Sequence, residues 1–560
     1  MLITDEKLYN LVLAENLVDR EILEEVLIFS NNSDISLEDA LLDRDLVTDS
    51  ELSAVIAKEL KIPFVRLSQI AIPSDLSHII PEKIARKMKA VVFKKDEANV
   101  YVAMVDPSNL EIREMIFKKT GKKVVVYLTT ARDIEGALRV YRKDIQKALN
   151  LLLSGDSENT DKIFEEVPVE KITNSLIEYA YQDKVSDVHI EPDEKHCLIR
   201  FRIDGVLQDV LKLPIFLHDR IVMRIKIMSN LRTDEHLAPQ DGKMRMKLER
   251  ENLDIRVSII PVVEGEKVVL RLLSSRSRRM SLADLGMGEE DMRKVTKAFN
   301  KSFGMVLSTG PTGSGKTTSI YSIIKILNSR GKNITTIEDP VEYRIGGVNQ
   351  IQVNPKANLN FSNGLRSILR QDPNIIFVGE IRDDETAAIS VNAALTGHLV
   401  LTTLHTTDAS TAIPRFIDMK IEPFLVASTV NAIIAQRLVR KVCEVCSEPI
   451  EIRTKDLTKN LPIDVIKKNF GSKENVTVFR GKGCKVCRGT GYSGRIGIFE
   501  VIEVSKNIRK LINEKCDAST IWKEAVKEGM TTMLDDGLRK CLKGETTIEE
   551  VLRVTRTESL

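Results

Sequence analysis

Met305-Val306-Leu307-Ser308-Thr309-Gly310-Pro311-Thr312-Gly313-Ser314-Gly315-Lys316-Thr317 carries an apolar strand into a full G-x-x-x-x-G-K-[ST] match. Ile320, Ile323, Ile324 and Leu327 follow at helical spacing, so a helix is predicted to begin where the loop ends. The glycines let backbone N–H groups converge on phosphate oxygens, and a helix N-terminus adds partial positive charge. Gly310, Pro311, Thr312, Gly313, Ser314, Gly315, Lys316, Thr317 and Thr318 are the expected phosphate-binding set. Lys316 is expected to bridge the β- and γ-phosphates of ATP, and the Thr317 hydroxyl to coordinate Mg²⁺. A chance glycine-rich turn would have neither the strand before it nor the helix after it.

Two further apolar strands run outward from this loop into acids. Residues 333–337 lead to Glu338-Asp339-Pro340-Val341-Glu342, and residues 374–378 lead to Gly379-Glu380. In such sheets the groups at the carboxyl ends of the strands face the phosphates. Glu380 closes its strand in the Walker B manner, but with Gly379 before it rather than Asp. Its expected role is therefore to orient metal-bound water, and Glu342 is the better candidate general base. Glu338 and Asp339 are assigned to the nucleotide site, with simple loop capping as the alternative for Glu338. His398 and His405 flank Leu399-Val400-Leu401 on a Thr-rich segment and are expected to sense the γ-phosphate, a structural histidine being the alternative.

At roughly 150 residues per domain, 560 residues imply several units. An apolar fraction of 42% with 29% charged residues describes a globular chain. The formal charge of +2 argues against a partner held by bulk polyelectrolyte attraction, so no direct nucleic-acid contact is expected. The start Met1-Leu2-Ile3-Thr4-Asp5-Glu6 has no basic and apolar leader, and no apolar run is long enough to span a bilayer. A cytoplasmic protein that meets membrane only through partners is the expectation. Of seven cysteines, four form the pairs Cys443/Cys446 and Cys484/Cys487, separated by residues 447–483. Two such knuckles suit a closed tetrahedral Zn²⁺ site, with a redox disulfide as the alternative.

The remaining pattern divides the chain. Residues 1–150 read as a repeated helical motif followed by a small α/β unit. Leu8, Leu17, Val18 and Leu23 recur as Leu37, Leu46, Val47 and Leu52, with Asp19 and Thr48 as helix caps. A polar linker is expected over 151–168. Residues 169–280 read as an α+β domain with a hairpin turn at Asp204-Gly205. A linker over 281–296, the nucleotide-binding domain over 297–436, a zinc module over 437–495 and a helical region over 496–560 complete the division.

Four ordered boxes resemble the type II/type IV secretion superfamily of ATPases. They are the loop Gly310–Thr317, the acidic Ile337-Glu338-Asp339-Pro340-Val341-Glu342-Tyr343, the run from Leu365 through Gly379-Glu380-Ile381-Arg382-Asp383, and the histidine segment. Ser186-Asp187-Val188-His189-Ile190-Glu191-Pro192 and Pro239-Gln240-Asp241-Gly242 extend the match upstream, and the segment from Gly544 to Glu550 extends it downstream. The resemblance implies a multidomain α/β protein with a RecA-like core, a PAS-like domain, a small N-terminal domain and a zinc insert. It further implies a homo-hexamer that hydrolyses ATP beneath the inner membrane, docked on a platform protein of a pilus or secretion machine. Arg366 and Arg370 match family arginines near the nucleotide; Arg224, Arg256 and Arg271 of the second domain are further candidates, with a solvated or salt-bridged surface arginine as the alternative. Assembly and export motors of the family carry the tetracysteine module; retraction motors generally lack it. The N-terminal repeat resembles motifs that bind cyclic di-GMP in some relatives. Lys7-Leu8-Tyr9 and Ser36-Leu37-Glu38 replace the Arg-Leu-Gly start, so a docking module is expected and not a cyclic di-GMP sensor. Type IV pilus assembly and type II secretion share every box. A nucleic-acid translocase and a non-catalytic nucleotide-switched scaffold are the rivals from other classes.

Overall fold

The computed structural model describes residues 3–555 except 34, 45, 71, 139–168, 249–251, 274–279, 472 and 485. The expected linker 151–168 and the basic run 274–279 therefore lie outside the described residues. Residues 1–141 and 279–560 form one compact unit and residues 142–278 another.

In the first unit the chain opens with helices Asp5–Ala14, Arg20–Ser33, Leu37–Asp43 and Asp49–Glu59. The repeated leucines supply their common core: Leu8, Leu23, Leu37 and Leu52 are all buried. Thr48 caps the fourth helix reciprocally with Glu51, which stops it fraying. Strands Ala90–Lys95, Asn99–Met104 and Lys123–Leu128 then make a three-stranded sheet with its own helices and core.

The nucleotide-binding region is a seven-stranded sheet. Its strand order is Asn349–Gln352, Ile334–Glu338, Ile375–Val378, Leu399–Leu404, Gly304–Thr309, Val430–Val442, Tyr492–Glu503. Neighbours are parallel up to Val430–Val442, and only the pair with Tyr492–Glu503 is antiparallel. Strand Gly304–Thr309 is buried throughout because both sheet faces are covered. Met305 and Leu307 enter one core and Val306 the other. That two-sided burial is why it reads as an unbroken apolar run. The expected boundary at 436/437 falls inside strand Val430–Val442, and the expected linker 281–296 overlaps helix Glu289–Phe299. The C-terminal region begins with the last sheet strand before it turns helical. Burial on both faces hides such strands from a search for alternation.

Between the two cysteine knuckles, strands Ser447–Arg453 and Asn475–Gly481 form a separate hairpin. Its apolar side packs with Leu538, Cys541, Val551 and Leu552 of the C-terminal helices. The second unit carries helices Val169–Gln182 and Phe216–Met228 and a six-stranded antiparallel sheet with a single core. Its hairpin turn places Asp204 at φ 50° and Gly205 at φ 86°, the left-handed pair that a two-residue turn requires. Among the described residues no helix is long and apolar enough to cross a membrane.

Candidate active site and tetracysteine centre

Helix Lys316–Leu327 starts directly after the loop, with Gly315 as a cap that has no side chain. The first-turn N–H groups therefore have no intrahelical or side-chain partner, and an anion is their natural acceptor. Gly310 and Gly315 sit at φ 141° and 91°. A Cβ on Gly310 would lie 2.5 Å from the Gln436 carbonyl oxygen, so only glycine fits. The Ser314 hydroxyl is buried without a hydrogen-bond partner, while Pro311, Thr312 and Gly313 lie open on the surface. This donor-rich, acceptor-poor cradle fits a nucleotide phosphate. Lys316 Nζ donates to the Gly310 and Pro311 carbonyls at 2.8 and 3.2 Å. Burial pulls its ammonium down to about 8, with the Glu380 carboxylate acting in the opposite direction. Thr317 and Thr318 are half-buried on the first turn.

The parallel register brings the other groups to the same edge. Thr309 is paired with Leu404, and Val378 with Thr402, so Gly310, Glu380 and His405 all leave the sheet at its carboxyl ends. Glu380 lies between His405, at 3.2 Å, and Arg382, at 2.6 Å. Glu338 is buried and accepts hydrogen bonds from Tyr321, from Thr336 at 2.6 Å and from Gln350 at 3.2 Å. Burial raises its carboxyl above the usual range despite those donors. The same Tyr321 hydroxyl accepts the Glu342 backbone N–H at 3.4 Å. Glu342 and Asp339 are exposed beside the loop that follows Glu338.

His398 requires a correction. It precedes strand Leu399–Leu404, so it sits at the amino end, about 23 Å along the strand from His405 at ~3.3 Å per residue. Its Nδ1 bonds the Ala393 carbonyl at 3.0 Å. Six intervening strand residues send the two histidines to opposite edges of the sheet, and only His405 joins the phosphate loop's edge.

Arg366 pairs with Glu385 at 2.6 Å, and Arg370 donates to the Arg366 carbonyl at 3.1 Å. In the second unit Arg224 pairs with Glu170 and Arg271 with Asp187, each at 2.8 Å, and Arg256 is the cross-strand neighbour of Arg271.

The four cysteine sulfurs lie within 4.8 Å of one another. Cys443–Cys484 and Cys446–Cys487 are 3.8 Å apart and Cys484–Cys487 3.7 Å. A tetrahedral ZnS₄ centre with Zn–S bonds of about 2.3 Å has S···S edges of about 3.8 Å, whereas a disulfide would bring a pair to about 2.05 Å. The spacing fits a metal. Backbone N–H groups of Cys484 and Gly491 point at Cys487 Sγ at 3.0 and 3.3 Å, the support that a ligating thiolate takes.

The family model described as type II/IV secretion system protein matches residues 163–553, and the MshEN domain model matches 60–148. The type IV pilus assembly ATPase PilB of Myxococcus xanthus is 36% identical over 562 aligned positions, covering 98% of each chain. This chain belongs to the type II/IV secretion system protein family. Type II secretion system protein E of Pseudomonas aeruginosa is 43% identical over 74% of this chain and 82% of its own. Among solved structures, the Legionella pneumophila ATPase DotB superposes with a TM-score of 0.52 at 20% identity, over 72% of this chain and 98% of that one. This likeness shows the shared fold: a multidomain α/β chain around a P-loop ATPase core.

Within the family core, sequence reasoning missed Tyr321, Gln350, Arg382 and Gln436. Gln436 carried a usable signal, since it is a lone amide after the apolar run Ala432-Ile433-Ile434-Ala435. A polar residue there must find partners when buried. Tyr321 offered none, because an aromatic on a helix reads as core.

Proposed function

We propose that this chain is the motor of pilin assembly at a type IV pilus, acting as a homo-hexamer on the cytoplasmic face of the inner membrane. It is an ATPase of its family. The pilus reading rests on the alignment with the Myxococcus assembly ATPase, which spans 98% of both chains and so includes the N-terminal region. Type II secretion is the second reading, favoured by the higher identity of the 74% of the chain aligned with the Pseudomonas secretion protein.

The loop N–H groups and Lys316 hold the β- and γ-phosphates, replacing the carbonyls that Lys316 now contacts. Mg²⁺, bound by Thr317, would neutralise phosphate charge. Glu342 takes the proton of the attacking water, and Glu380, fixed between His405 and Arg382, would orient water on the metal. Arg366, Arg370 and the second-unit arginines are the candidate donors to transition-state oxygens. Cys443, Cys446, Cys484 and Cys487 would hold Zn²⁺ in a structural role. A membrane platform protein receives the force, and the N-terminal helices dock the motor.

The test is deletion of the gene with complementation by wild type or Lys316→Ala. Loss of surface pili restored only by wild type supports the assembly reading. Intact pili with loss of exported proteins would move the chain to secretion, and DNA-stimulated turnover would favour a translocase.

A further inference from the structure

We propose that Gln436 is a positioning residue that sets the phosphate loop for nucleotide binding. Gln436 lies on strand Val430–Val442, one residue beyond the pairing of Ala435 with Thr309, and so stands level with the start of the loop. Its side chain is 2% exposed and uses both ends of its amide. Nε2 donates to the Ser314 carbonyl at 2.8 Å. Oε1 accepts from Ser319 at 2.7 Å and from Ser308 at 3.4 Å. One amide thereby ties the strand before the loop, the loop itself and the helix after it.

The bond to Ser314 has a directional consequence. In a trans peptide the C=O and the following N–H point opposite ways. Holding the Ser314 carbonyl on Gln436 turns the Gly315 N–H away from the strand, to the side where loop donors converge. The same residue accounts for two glycines of the motif. A Cβ on Gly310 would meet the Gln436 backbone oxygen at 2.5 Å, and one on Gly315 would meet Nε2 at 3.0 Å. The backbone approaches Gln436 closely at both points, and without its amide the Ser314–Gly315 peptide is free to rotate. Phosphate binding then weakens, while the groups that carry the hydrolytic step, Glu342 and Glu380, stay in place. The inference rests on Gly310–Thr317 being the nucleotide site.

The test uses full-length Gln436→Met, which keeps side-chain length and removes both hydrogen-bonding groups. Equilibrium binding of a fluorescent ADP analogue and steady-state ATP hydrolysis are measured. Loss of a buried hydrogen bond predicts Kd and KM raised about tenfold or more, with kcat within about twofold of wild type. A merely structural residue would lower thermal stability and leave Kd unchanged. That outcome, or a fall in kcat at constant Kd, overturns the inference. Should the Met variant fail to fold, Ser319→Ala decides: it removes one tether on the amide and should raise Kd in the same direction by less, whereas an unchanged Kd overturns the inference. Lys316→Ala separates the two levels. If it binds ADP normally, the nucleotide-site reading fails. If it loses binding while Gln436→Met retains it, only the positioning role fails.

Discussion

Strand Val430–Val442 serves two sites built in opposite ways. Near its middle, Gln436 borders a phosphate cradle gathered from distant segments: the loop at 310–317, the acids at 338–342 and 380, and His405. At its end, Cys443 enters a centre made of two four-residue knuckles, which the pairing of the hairpin between them brings to metal-edge spacing. The cradle takes its geometry from the register of a buried sheet. The cysteine centre joins a hairpin with a small core to the main sheet, so its geometry and the stability of its surroundings depend on each other. Damage to the first should cost function before stability; damage to the second should cost stability before function.

The largest expected effect that separates them is Cys443→Ser. Zinc measured by atomic absorption should fall from one per chain to near zero, and the unfolding midpoint should drop by roughly 10 °C as the hairpin core loses its clamp. ATP turnover well below that midpoint should stay within about threefold of wild type, since no thiol touches the cradle. Retained zinc at one per chain would break the comparison at its metal end.

A smaller effect sharpens the other end. His405→Ala removes a partner of Glu380 and should lower kcat roughly tenfold, the cost of one hydrogen bond to a charged group. His398→Ala, at the opposite edge of the sheet, should stay within about twofold. Equal losses would show that the sheet edge does not decide which histidine acts.

The remaining effect is on pH dependence. Lys316 is held down to about 8 by burial, and phosphate favours its charged form, so nucleotide binding takes up a proton. Affinity should be full below pH 8 and fall as pH rises through that value, by at most about tenfold per unit. Isothermal titration from pH 7 to 9.5 checks the sign; tighter binding at high pH contradicts it.

The same contrast explains what could be read in advance. Residues at fixed short spacing, such as Gly310 to Thr317 and the two cysteine pairs, carry their geometry in the chain itself and were legible. Glu338 and Glu342 were legible as acids after a strand, but not the difference in their surroundings. Only tertiary placement shows that Glu338 is enclosed by Tyr321, Thr336 and Gln350 while Glu342 is left exposed. Gln436 lies more than a hundred residues beyond the loop it holds, and local pattern says nothing about such a pairing. His398 failed for a related reason. Thr-rich flanks made it look like His405, but strand direction, a property of the whole sheet, separates them. The last sheet strand, Tyr492–Glu503, escaped because two-sided burial erases the alternation that marks a sheet.

If the carboxyl edge of this sheet hydrolyses ATP as proposed, Glu342 is the base. Phosphate release and nucleotide binding measured together on purified Glu342→Gln test it most directly. ADP and ATP affinities within about twofold of wild type, with turnover lowered about a hundredfold or more, are the predicted result. Turnover unchanged at normal affinity would contradict it.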